Sequence, residues 1–66
     1  MEVKYPGLEV KLLGENGNAF NLIGITAKAL RKHAGKEAAE EFLTESMEQK
    51  SYDDLLAYIQ RIVTVI

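Results

Sequence analysis

Hydrophobic and polar positions change period several times along this chain, and each change marks an element. Leu8, Val10 and Leu12 alternate with Glu9 and Lys11, the period of two that a half-buried strand shows. Val3 and Tyr5 alternate in the same way, so a third short strand, or a hairpin through Pro6-Gly7, remains open; Pro-Gly suits a type II turn better than the primed turns hairpins favour. Gly14 to Asn18 breaks the pattern with residues that tolerate positive φ. From Asn18, a helix N-cap by residue type, the period becomes helical: Phe20, Ile23, Ala27, Leu30 and Ala34 recur at spacings of three and four, and Leu22, Ile25 and Ala29 widen the stripe. On this pattern Phe20 opens the core face, and its loss to alanine would cost about 3–5 kcal/mol. Gly24 weakens the helix unless a close helix crossing requires it, and Gly35 is its stop.

A second helix is expected from Lys36 to Gln49, with Ala39, Phe42, Leu43 and Met47 as a narrow apolar face and Glu37, Glu40, Glu41, Glu45 and Glu48 opposite. Ser51 then caps a third helix, with Asp53 and Asp54 at its positive dipole end and Tyr52, Leu55, Leu56 and Ile59 facing the core. Arg61 to Ile66 is β-branched at five of its six positions. Helical spacing also fits, but a strand at Leu8–Leu13 needs a partner for its backbone groups, so a strand is the better reading. The expected fold is α+β: one domain over 1–66, strand-helix-helix-helix-strand, with three helices packed on one face of a minimal sheet.

Composition narrows the field. The chain has 66 residues, and a domain of about 60 residues buries only about 60% of its unfolded surface. It has no cysteine, so neither disulfides nor a zinc core can staple it. The net charge of −2 argues against a general nucleic-acid binder. No apolar run approaches the roughly 20 residues a membrane span needs, and Met1 to Tyr5 lacks a signal-peptide core. A cytoplasmic protein without membrane contact is expected.

Two places carry candidate chemistry. Gly14, Asn16, Gly17 and Asn18 precede a helix, where backbone amides can hold an anion or small ligand. The loop lacks the Lys-Ser or Lys-Thr of a phosphate loop and the acidic ligands of an EF-hand, and a tight turn with an N-cap accounts for all its residues. Lys28, Arg31, Lys32, His33 and Lys36 gather at the first helix's C-terminus, where the macrodipole favours cations; the functional alternative is a docking patch for an acidic partner or a nucleic-acid backbone. A helix-turn-helix through Ala34-Gly35 is rejected, because its reading helix would carry five glutamates. His33 is the sole histidine, so no metal site or nucleophilic triad is expected, and no cofactor or enzymatic activity.

The segment Gly14-Glu15-Asn16-Gly17-Asn18-Ala19-Phe20, with Ala29-Leu30-Arg31, Gly35, Glu41-Phe42 and Tyr52-Asp53-Asp54-Leu55-Leu56 downstream, resembles a family of small uncharacterised proteins encoded in bacterial and phage genomes. The similarity runs from Tyr5 to Val65. It implies a shared fold and a mobile-element origin, and it implies no activity. The residues themselves favour a non-enzymatic protein that works by binding a protein partner or, as a homodimer through an open sheet edge, a second copy. A nucleic-acid-associated role for Lys28–Lys36 and ligand binding at Gly14–Asn18 rank below it.

Overall fold

A computed structural model describes residues 3–14 and 16–66. Strand β1 (Tyr5–Val10) is followed by helices α1 (Ala19–Ala34), α2 (Lys36–Met47) and α3 (Tyr52–Ile62), then by strand β2 (Val63–Val65). The fold is the expected α+β order. The strands form a two-stranded parallel sheet, pairing Tyr5 with Val63, Glu9 with Thr64 and Val10 with Val65. The Ile66 amide donates to the Val10 carbonyl at 2.9 Å, and the Leu12 and Leu13 amides both donate to the Ile66 carbonyl. Side chains on a strand alternate between faces, so Val10, Leu12 and Val63 are buried while Glu9 and Lys11 are exposed.

The first strand differs from the expected Leu8–Leu13. It starts at Tyr5 and runs through Pro6-Gly7, with an irregular register between Tyr5 and Glu9. Pro-Gly makes no hairpin here: β1 pairs with β2 instead, and the Pro6 carbonyl accepts a hydrogen bond from the Thr64 hydroxyl at 3.1 Å. Among the described residues no third strand joins the sheet. The sheet edge is less open than expected, since Pro6 and the irregular register interrupt β1, and such interruptions blunt edge pairing.

The helices begin and end where local chemistry dictates. The Asn18 side chain accepts from the Phe20 amide, and the Ser51 hydroxyl accepts from the Asp54 amide, each satisfying an orphan donor of a first turn. Gly35, at φ 96°, turns the chain between α1 and α2 while its amide closes onto the Arg31 carbonyl. Gly24 has no crossing partner: a Cβ there would meet nothing within 4 Å.

The core consists of Val10, Leu12, Leu22, Ile23, Ala27, Leu30, Ala39, Phe42, Leu55, Tyr58, Ile59 and Val63. Five expected core positions are corrected: Ala34 is exposed at the end of α1, and four larger side chains are exposed as well. Phe20 is 71% exposed, Met47 64%, Tyr52 44% and Leu43 40%. Phe20 and Leu22 lie on opposite edges of the α1 stripe, each roughly 80° around the helix from Leu30 at its middle, and the fold covers the Leu22 edge and leaves the Phe20 edge open. Leu43 and Met47 are displaced from Phe42 on α2 in the same manner. Their expected places are taken by Thr26 and Ser46, both buried, and by Tyr58, whose ring stacks on Phe42 at 5.6 Å.

Candidate functional site

The displaced apolar side chains share a location. Helices α1 and α2 turn back on one another at Gly35, and a groove runs along their outer seam. On α1 its wall carries Phe20, Ala27, Lys28 and Arg31; on α2 it carries Lys36, Glu40, Leu43 and Met47. The α2 positions recur at spacings of four, three and four, which stacks them on one side of a helix. Two cavities of about 320 Å³ each lie along this seam. The first, at the Gly35 end, has a floor of Ala27 and Ala39 beneath Lys28, Arg31 and Lys36. The second, at the far end, opens where α1 and α2 meet the start of α3; Phe20, Ile23, Ser46 and Met47 line it on one side, and Lys50, Ser51, Tyr52 and Leu55 on the other. Ile23 and Ala27 are one turn apart on α1, as are Leu43 and Met47 on α2, so the two cavities lie at successive levels of the same helix pair, with no lining residue in common. The small floor residues make the groove, because alanine on each helix leaves a trough where larger side chains would fill the seam.

Charge along the groove is not that of the whole chain. The net charge is −2, yet the two linings hold Lys28, Arg31, Lys36 and Lys50 against a single carboxylate, Glu40. Lys36 and Glu40 approach to 3.8 Å. The remaining glutamates of α2 face elsewhere. Glu41 accepts a hydrogen bond from Lys4 at 3.1 Å, which raises the lysine's pKa above its ordinary value. Glu45 accepts from the Tyr58 hydroxyl at 2.8 Å, and burial together with this bond pushes the phenol's pKa well up.

The basic cluster anticipated at residues 28–36 is therefore divided. Lys28, Arg31 and Lys36 line the groove. Lys32 is exposed elsewhere on α1, and His33 lies over the Tyr5 ring of β1, edge-on with centroids 6.2 Å apart. Of the loop residues, Gly14 holds a positive φ of 84°, and Asn16, Gly17 and Asn18 take part in local hydrogen bonds. Asn16 accepts from the Asn18 amide at 3.0 Å, Asn18 accepts from the Phe20 amide at 2.9 Å, and Asn21 donates to the Asn16 carbonyl. The Tyr52 hydroxyl donates to the Gly17 carbonyl, tying this loop to the start of α3. Two amides that an anion would use are thus engaged. Glu15, the one acidic residue expected beside them, lies outside the described residues.

A third cavity of about 230 Å³ lies under Leu13, between Leu12, Leu56 and Val65, with Tyr52 on the side toward the groove. Among the described residues no cluster of three or more His, Asp or Glu could hold a metal, and no helix is long and apolar enough to cross a membrane. Sequence reasoning placed three of the groove's cations, Lys28, Arg31 and Lys36, and missed Lys50 and the apolar half, because periodicity assigned Phe20, Leu43 and Met47 to the core. Angular offset from the centre of a stripe does not single them out, since Leu22 is as far around α1 from Leu30 as Phe20 and is buried.

Comparison with family models, curated proteins and solved structures returns no match.

Proposed function

We propose that the protein is a non-enzymatic, cytoplasmic interaction module that binds another protein along the α1–α2 groove. One observation carries this reading: Phe20, Leu43 and Met47 stand exposed along a single seam. Burying such side chains contributes about 25 cal/mol per Å² of apolar surface, so a chain this small forgoes stability by displaying them. Exposed apolar surface that is continuous, grooved and rimmed by polar groups is the usual form of a protein-binding face. The apolar floor also favours a protein over a nucleic-acid backbone, which has no apolar stripe to lay on Ala27, Ala39 and Leu43. The resemblance of the Gly14–Phe20 and Tyr52–Leu56 segments to small bacterial and phage-encoded proteins supports a mobile-element origin.

The test is photo-crosslinking in cells with benzoylphenylalanine placed at Phe20, at Met47 and, as a control outside the groove, at Glu41. A discrete protein adduct from the first two positions, absent from the third and lost when Leu43→Asp is added, is expected. No adduct, or the same adduct from all three positions, would place the working surface elsewhere.

A further inference from the structure

Resting on the groove as the protein-binding face, we infer that its occupant is an acidic amphipathic helix of about three turns, supplied by a partner protein. Three features define that ligand. The first is length. Phe20 and Arg31 mark the ends of the α1 wall, and eleven residues at about 1.5 Å each span about 16 Å. A helix of about 12 residues covers this distance.

The second is shape. Two antiparallel helices with small, buried alanines beneath their seam leave a trough into which a third helix can lay one stripe. Helix-in-groove recognition reads anchors at spacings of three, four and seven, and the groove offers two cavities in line for them. Phe20 and Met47 rim one; Leu43 stands beside the other.

The third is charge. Four cations against one carboxylate border the two cavities. Lys36 is partly occupied by Glu40 at 3.8 Å, which leaves Lys28, Arg31 and Lys50 to meet carboxylates on the flanks of the incoming helix. A basic helix would bring like charges together on the rim, and complementarity of this kind sets partner choice more than total affinity.

The experiment uses the intact chain and a labelled peptide of about 12 residues, with leucines at helical spacing and glutamates on both flanks. Its twin carries lysine at every glutamate. Fluorescence anisotropy at low salt should show the acidic peptide binding about tenfold or more tightly than the basic one, with the preference shrinking as salt rises. Lys28→Glu with Arg31→Glu should invert the preference while circular dichroism stays that of the parent. Equal binding of the two peptides, or a preference surviving the double substitution, would overturn the acidic helix and leave the groove as a protein site. Binding of neither peptide would remove the groove itself. Displacement of the peptide by duplex DNA at lower concentration would assign the cations to phosphates. A protein mass that doubles in sedimentation and reverts with Phe20→Asp would make a second copy the occupant.

Discussion

Thr26 lies on the buried stripe of α1 at 0% exposure, and its hydroxyl has no hydrogen-bond partner. A buried donor left unpaired costs its desolvation, commonly about 1–3 kcal/mol. Thr26→Val keeps the branched shape and removes the hydroxyl, so it should raise stability by about 1 kcal/mol or more in a urea titration; a lower midpoint would mean that the hydroxyl is satisfied. Tyr58 is the opposite case, a core phenol whose hydroxyl reaches Glu45. Its pKa is raised from the ordinary 10.0, by burial first and by Glu45 second. The folded state therefore holds this proton more tightly than the unfolded state. Its contribution is whole below about pH 10 and declines as the pH rises beyond that. Lys4, raised by Glu41, acts in the same direction but is exposed and screened. Tyr58→Phe should be less stable than the parent at neutral pH and lose less between about pH 10 and pH 11. Parallel declines in parent and variant would show that another group titrates.

At the level of elements, two glycines in the α1–α2 hairpin have opposite roles. Gly24 is exposed within a helix with open space around its missing Cβ, so Gly24→Ala should stabilise by up to about 1 kcal/mol through helix propensity alone. Gly35 holds φ 96° and ψ 175° between two helices, and Gly35→Ala should cost about 1–3 kcal/mol because residues with a side chain are strained in that conformation, even with open space around the site. Thermal melts moving in the same direction for both would contradict this division. The helices were legible because their signals are local: Asn18 and Ser51 cap, Gly35 stops, and apolar spacing fills the interval. The final strand was legible from its β-branched run and from the need of β1 for a partner, but only over Val63–Val65: Arg61 and Ile62, expected in the strand, complete α3. The start of β1 was not, because Pro6-Gly7 reads locally as a turn and only its pairing with Val63 and Thr64, at the other end of the chain, holds it extended. Tyr58 was missed for a related reason, since its burial depends on stacking against Phe42 from another helix.

Taken as a whole, the molecule divides its apolar side chains between two tasks. Phe42, Leu30, Ile59 and Val63 are sealed inside, and Phe20, Leu43 and Met47 line a groove that faces out. Sequence periodicity gives the width of a helix's apolar stripe and not which edge of it meets the core, so the cationic half of the site could be read from the chain and the apolar half could not. A domain of this size has about 5 kcal/mol or slightly more to lose, and the division has a direct consequence for its unfolding. The measurement that tests it is equilibrium urea unfolding of the Phe20→Ala, Met47→Ala double variant beside Phe42→Ala. The double variant should unfold within about 0.5 kcal/mol of the parent, as surface substitutions do, while Phe42→Ala loses about 3–5 kcal/mol. A double variant destabilised as much as Phe42→Ala would return Phe20 and Met47 to the core and leave the groove without its apolar half.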